Sequence, residues 1–253
     1  MKKRYGQHFL SDRNILQRIV RLAAIAPEDT VIEIGPGAGA LTRELAAAAR
    51  RVIAIEIDRD LIPKLRASMP ANVEVIEADA LEIEFDTLAG GPFHLVGNLP
   101  YNIATPLLKR FIEARDHILD LTIMLQKEVA ERIRARPGSA DYGPLSLLIQ
   151  YYADPVRGFT VPPGAFTPRP KVDSAVIRLE WKPGVPHAKD FTDFVQRAFG
   201  SRRKKLLNNL VTIRPHLSRD EVVAMLEAAG VSPDARPETL TVQQFLRVYN
   251  QMR

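Results

Sequence analysis

Between residues 31 and 126, five short apolar runs alternate with helical patterns, and this rhythm restricts the fold more than any other property of the chain. The runs are Val31-Ile32-Glu33-Ile34, Val52-Ile53-Ala54-Ile55-Glu56, Val73-Glu74-Val75-Ile76, Phe93-His94-Leu95-Val96 and Leu121-Thr122-Ile123-Met124-Leu125. They are rich in β-branched residues and too short for helices, as expected of strands buried in a sheet. Leu41 to Arg50, Leu61 to Ser68 and Ala104 to Ala114 fall between them as helices. Strand and helix in regular succession predict an α/β fold with a doubly wound parallel sheet. Ligands of such sheets bind outside the carboxyl ends of the strands, so the residues that end or follow each run are the functional candidates.

After the Pro/Gly-rich stretch Val161 to Pro170, the segment Val172 to Glu180 alternates like an edge strand that completes the sheet. Lys182-Pro183-Gly184-Val185-Pro186 reads as a linker. Beyond it Phe191 to Phe199, Lys204 to Leu210, Glu221 to Ala229 and Val242 to Met252 carry helical patterns, so a small all-helical C-terminal domain is expected. Ser218 followed by Glu221, and Thr241 followed by Gln243 and Gln244, suit helix starts, and Gly230 suits a C-cap. The expected division is residues 1–182 and 183–253, and a chain of 253 residues is long enough for two such domains.

Composition excludes several classes of function. No segment approaches the roughly 20 apolar residues of a membrane-spanning helix. The first ten residues are basic and lack the apolar run of a secretory signal, which predicts a cytoplasmic protein without membrane attachment. Cysteine is absent, which removes disulfides, thiolate nucleophiles and Cys-ligated metals. The five histidines, at 8, 94, 117, 187 and 216, show no H-x-x-x-H spacing, so no metal is expected. The net charge of +5 fits a polyanionic partner. The cations cluster as Lys2-Lys3-Arg4, as Arg202-Arg203-Lys204-Lys205, and as Arg157, Arg169 and Lys171 around the proline-rich loop.

Glu33-Ile34-Gly35-Pro36-Gly37-Ala38-Gly39 ends the first strand and opens a helix. Its glycines allow a tight turn and close backbone approach to a ligand, so Gly35 and Gly37 belong to a nucleotide-binding loop. Glu56 ends the second strand, where a carboxylate accepts both ribose hydroxyls of an adenosine moiety. With Ala40 in the third position the loop also matches a dinucleotide fingerprint, so these features alone leave NAD and S-adenosyl-L-methionine open. Asp79, after the third strand, is placed to accept from an adenine amino group or to cap a helix. Glu33 is placed to meet a methionine ammonium, to support the loop, or to pair locally.

Asn98-Leu99-Pro100-Tyr101 follows the fourth strand. The lone pair of the adenine N6 amine is delocalised into the ring, which makes the nitrogen a poor nucleophile. The Asn98 side-chain oxygen and the Leu99 carbonyl can accept the amine's hydrogens and favour a pyramidal nitrogen, so catalysis becomes orientation and electrostatics. Pro100 fixes the turn and Tyr101 offers a ring for the base. An adenine-directed methyltransferase gains from this tetrapeptide; an NAD dehydrogenase does not.

These residues resemble the ribosomal RNA adenine N6-dimethyltransferases, in particular those acting on small-subunit rRNA. The resemblance rests on Tyr5 to Leu10 (YGQHFL), Glu33 to Thr42 (EIGPGAGALT), Ala54 to Leu61 (AIEIDRDL), Asn98 to Leu108 (NLPYNIATPLL) and Phe166 to Leu179 (FTPRPKVDSAVIRL). It implies a Rossmann-like doubly wound sheet of the S-adenosylmethionine methyltransferase type with a small helical C-terminal domain. It implies dimethylation of two adjacent adenosines in the 3′-terminal hairpin loop of small-subunit rRNA, within an immature ribosomal subunit. Cofactor contacts are implied at His8, Leu10, Gly35, Glu56, Asp79 and Asn98, and Phe166 is implied as a second aromatic against the flipped base. A core Phe beneath the loop is the other reading of Phe166. His8 stands where the family pattern has Asn, a change that a backbone contact survives and an Asn-specific side-chain contact does not. Arg236 to Val242 (RPETLTV) resembles the small-subunit enzymes more than the large-subunit relatives. On that reading Arg202, Arg203, Lys204 and Lys205, with Asn208 and Asn209, become an rRNA-backbone contact that weakens with salt. A monomer is expected. A DNA adenine methyltransferase shares the tetrapeptide, and a non-catalytic RNA-binding relative is expected to lose Asn98 or Asp79, both of which are present.

Overall fold

The computed structural model describes residues 8–101, 103–186, 189–201 and 204–252. Lys2, Lys3, Arg4, the Tyr5-Gly6-Gln7 part of the N-terminal signature, Arg202 and Arg203 lie outside the described residues. The chain forms two compact units. One comprises residues up to Ala130 with Asp154–Trp181, the other Glu131–Ala153 with the residues from Lys182 on.

The elements run β1 (Phe9–Leu10), α1 (Arg13–Ala23), β2 (Thr30–Ile34), α2 (Ala40–Ala48), β3 (Arg51–Glu56), α3 (Ile62–Ser68), β4 (Val73–Glu77), α4 (Phe85–Ala89), β5 (Phe93–Asn98), α5 (Ala104–Glu113) and β6 (Ile118–Gln126). They continue as α6 (Lys127–Arg134), α7 (Pro144–Tyr152), β7 (Ala153–Val161), β8 (Phe166–Thr167) and β9 (Ser174–Trp181). Seven strands form one sheet in the order β4-β3-β2-β5-β6-β9-β7. The strands from β4 to β6 are parallel neighbours, and β9 runs antiparallel to β6. All five residues of β2 are buried, as a strand covered on both faces requires. The chain winds outward from β2 in one direction and from β5 in the other, so these two strands flank the switch point.

The antiparallel strand is not at the edge, which corrects the expectation for 172–180. β7 lies outside it. Pro155 and Gly158 hide β7 in the sequence because both argue against a strand. Proline is tolerated on an edge strand, where one side of the ladder needs no donor. A Cβ on Gly158 would sit 1.7 Å from the Val176 carbonyl oxygen, so glycine is what lets β7 close on β9.

A second, two-stranded sheet pairs β1 with β8 antiparallel, with Phe9 opposite Thr167 and Leu10 opposite Phe166. The sequence reading also passed over α1. It buries Ile15, Leu16, Ile19 and Ala23, and its Asp12 cap accepts from the N–H groups of Asn14 and Ile15. At the amino ends of the strands, His94 bridges Asp120 at 3.1 Å and Asp29 at 3.0 Å, and Arg178 donates to Asp120 at 2.8 Å. Burial lowers the His94 pKa, but the hydrogen bonds and charges of Asp120 and Asp29 outweigh it and the net shift is upward.

The second unit adds α8 (Lys189–Ala198), α9 (Leu206–Ile213), α10 (Arg219–Ala228) and α11 (Val242–Gln251). The division expected at residue 182 is therefore incomplete, since residues 131–153 belong with these helices. Its physical reason is α7, which buries Leu147, Leu148, Ile149, Tyr151 and Tyr152 and sets Tyr151 4.7 Å from Phe191, centroid to centroid. Phe199 stacks on Phe245 at 5.4 Å. Ser218 with Glu221 and Thr241 with Gln244 form capping boxes, and Gly230 has a φ of +69°, just past α10.

Candidate active site

Parallel strands convert order along the chain into order in space. β4, β3, β2 and β5 end side by side, and Asp79, Glu56, the glycine loop and Asn98 follow or finish them in that sequence. All of them line one cleft of about 360 Å³, together with His8, Leu10, Glu33, Leu99, Pro100 and Tyr101. That volume lies in the range of small-molecule sites.

The loop turns on Gly35 and Gly37, at φ +69° and +57°, a region L side chains rarely adopt. The Gly35 N–H donates to the Ile55 carbonyl at 3.0 Å, and a Cβ on Gly37 would meet the Phe9 ring at 2.8 Å. Glu56 braces the loop: Oε2 accepts from the Gly37 N–H at 3.1 Å, and Oε1 from those of Ile57 and Asp58 at 3.0 and 2.9 Å. Burial raises its pKa; these three N–H groups offset only part of the rise, and the net shift is upward. Asp79 accepts from the Leu81 N–H at 2.9 Å. It caps no helix, because α4 begins only at Phe85.

Glu33 is 1% exposed, and its Oε2 has no hydrogen-bond partner among the described residues. Burial pushes its pKa up to about 8, with the Thr42 hydroxyl lowering it and the Glu56 charge adding to the rise. A buried carboxyl on the cleft wall with an unused acceptor fits the cationic ammonium of a methionine moiety. Glu56, with both oxygens fixed by N–H groups at the end of β3, fits a diol. The residues present thus suit S-adenosyl-L-methionine on the chemistry of their own donors and acceptors.

Asn98 closes β5, and its Nδ2 donates to the His8 carbonyl at 3.1 Å. That commits the amino end of the amide to the protein. His8 makes this contact through its backbone, while its Nδ1–H donates to the Pro168 carbonyl at 2.8 Å. The contact to Asn98 therefore asks nothing of the side chain at position 8. The Leu99 N–H donates to the Met124 carbonyl at 3.1 Å and the Ile103 N–H to the Pro100 carbonyl at 3.1 Å, which fixes the turn. The Tyr101 hydroxyl meets Ser174 Oγ at 2.7 Å.

Two of the expected placements need correction. Phe166 lines no part of the cleft: it is 2% exposed, and it packs in the core with Leu10, Met124 and Val176. Its pairing with Leu10 across the small sheet holds it there, so the core reading of this residue describes the structure. Asn209 does not face solvent either. It is 7% exposed and ties α9 to the end of α8 by donating to the Ala198 carbonyl at 2.7 Å. Lys204 and Lys205 are exposed, and Lys205 Nζ pairs with Asp234 at 2.5 Å. Ser174 and Pro168 lie inside the Phe166 to Leu179 signature, which gave neither a role; the antiparallel return of the chain brings both to the site. Among the described residues no helix is long and apolar enough to cross a membrane.

The family model of ribosomal RNA adenine dimethylase matches residues 1–253. The chain is 46% identical over 254 residues to the ribosomal RNA small subunit methyltransferase A of Alkaliphilus metalliredigens, covering 96% of this chain and 88% of that one. It is 45% identical over 260 residues to the protein of the same name from Laribacter hongkongensis, covering 98% and 95%. Among solved structures, a dimethyladenosine transferase from Plasmodium falciparum superposes with a TM-score of 0.81 at 28% identity, covering 95% of this chain and 96% of that one. The 23S rRNA methyltransferase ErmE superposes with a TM-score of 0.72 at 33% identity, covering 96% and 98%. The chain belongs to the ribosomal RNA adenine dimethylases, S-adenosyl-L-methionine-dependent enzymes that methylate adenine in rRNA.

Proposed function

We propose that this protein adds two methyl groups to N6 of each of two adjacent adenosines in the 3′-terminal hairpin loop of small-subunit rRNA. It acts as a cytoplasmic monomer on an immature subunit. The observation that carries the reading is the Asn98 amide, whose Nδ2 is held by the His8 carbonyl on the wall of a cleft that Glu33, Glu56 and Asp79 also line. Small-subunit rather than large-subunit RNA is favoured by the names of the relatives at 46% and 45% identity, against 33% for ErmE.

Glu33 would hold the ammonium of S-adenosyl-L-methionine, Glu56 its ribose hydroxyls and Asp79 its adenine amino group. Gly35 and Gly37 let the backbone approach, and His8 and Leu10 wall the cleft. The cofactor supplies an electrophilic methyl sulfonium whose thioether leaves without protonation. With Nδ2 occupied, Asn98 presents Oδ1 as an acceptor, and Oδ1 with the Leu99 carbonyl takes the two hydrogens of the target amine. This favours the pyramidal, nucleophilic nitrogen. Pro100 fixes the turn that carries these acceptors. Each transfer leaves a cationic N-methylated amine that gives up one proton to water, so one N–H remains after the first methylation and none after the second, and the hold on the amine lapses once it is dimethylated. Tyr101 supplies a ring face for the base. Lys204 and Lys205, with Arg202 and Arg203 by sequence, would meet rRNA phosphates. The Lys205–Asp234 pair is exposed on both sides and therefore exchangeable.

Asn98→Ala tests the reading. Its turnover on unmethylated small subunits should fall by at least about a hundredfold. Its affinity for S-adenosylhomocysteine, measured by titration calorimetry, should stay within about tenfold, roughly 1.4 kcal/mol. Wild-type-like turnover would overturn the mechanism.

A further inference from the structure

We propose that Ser174 is a positioning residue for methyl transfer: its hydroxyl tethers Tyr101 to the sheet and sets the plane of the ring before a base arrives. The inference rests on the reading of Tyr101 as the face that receives the target base.

Tyr101 lies three residues beyond the end of β5, in a turn, where a ring would ordinarily be free to swing. Ser174 is the first residue of β9 and is fully buried, with 0% of its surface exposed. The register explains how they meet. Asn98 of β5 pairs with Met124 of β6, and Gln126 of β6 pairs with Ser174 of β9, so the tyrosine reaches across the end of β6. The bond that results is 2.7 Å long, the usual length between two hydroxyls.

Both ends of the tether are fixed independently. The base of the Tyr101 turn is held by the Leu99 N–H on the Met124 carbonyl. Asp173, immediately before the serine, accepts from the Lys127 N–H at 3.0 Å, and its carboxylate lies 3.8 Å from Lys127 Nζ. The His8 ring stands 6.0 Å from that of Tyr101, centroid to centroid and tilted by 30°, and is itself anchored on Pro168. A ring held at its hydroxyl by a residue of the sheet loses its freedom on folding rather than on substrate binding. The tyrosine hydroxyl then serves the ring's orientation and makes no contact with the base.

Three variants and their combination test this. Tyr101→Phe, Ser174→Ala and the double variant should each lower kcat on unmethylated small subunits by the same factor, about three- to tenfold, the effect of one lost hydrogen bond. The double variant should lose no more than either single one, because both remove the same tether. KM for S-adenosyl-L-methionine should match wild type in all three, and the thermal midpoint should fall only by the few degrees that one lost hydrogen bond costs. Wild-type kcat in either single variant would overturn the proposal, as would a double variant whose loss is the product of the two. Tyr101→Ala separates the tether from the reading beneath it. If Tyr101→Ala turns over normally, Tyr101 is not the base-facing residue. If Tyr101→Ala is inactive while Tyr101→Phe and Ser174→Ala are fully active, only the tether is lost.

Discussion

A carboxyl removed from water beside a second carboxyl, as Glu33 is beside Glu56, prefers to keep its proton until a cation arrives. Its folded-state pKa, about 8, lies above the ordinary 4.5. The stabilisation it contributes is therefore present below the ordinary carboxylate range and is lost as pH rises towards 8. Glu33→Gln removes this liability together with the proposed ammonium contact. Without cofactor, the thermal midpoint of the variant should exceed that of wild type by more at pH 8 than at pH 5. Its affinity for S-adenosylhomocysteine should fall ten- to a hundredfold, roughly 1.4–2.8 kcal/mol. A midpoint lowered equally at both pH values would assign Glu33 to packing. At this scale the cleft was largely legible, because Asp79, Glu56, Gly35 and Asn98 each end or follow a strand of one parallel run. The direction of the Asn98 amide was not. It depends on the His8 carbonyl, 90 residues away in sequence.

At the scale of elements, legibility followed the type of connection. Parallel strands joined by local helices announced themselves through runs such as 52–56. The antiparallel return did not, since Pro155 and Gly158 disguise β7 and the pairing of β1 with β8 involves two residues on each side. Phe166 shows the consequence: an aromatic in a family signature near the cleft is, in this structure, a core residue. Phe166→Ala should lower unfolding free energy by about 3–5 kcal/mol in urea titrations, the ordinary cost of emptying a buried aromatic site. Unchanged stability with lost turnover on rRNA would return Phe166 to the base. The helix α7 makes the same point for the second unit. Leu145, Leu147, Leu148, Ile149, Tyr151 and Tyr152 leave only the narrow side of Ser146 and Gln150 polar, a pattern that periodicity alone does not assign to one domain or the other.

For the whole molecule, the excess of positive charge and the two compact units fit an enzyme that reads a large RNA target through more than its reactive base. The chemistry of Asn98-Leu99-Pro100-Tyr101 specifies an adenine amine and says nothing of which adenine. That choice must come from contacts outside the cleft. The direct test is to incubate the protein with labelled S-adenosyl-L-methionine and, in parallel, with small subunits lacking the modification, large subunits and duplex DNA, and then to map the labelled nucleotides. Label should fall on two adjacent adenosines of the 3′-terminal hairpin loop of small-subunit rRNA, with two methyl groups on each, and on none of the other substrates. Label confined to large-subunit rRNA or to DNA would contradict the proposed function.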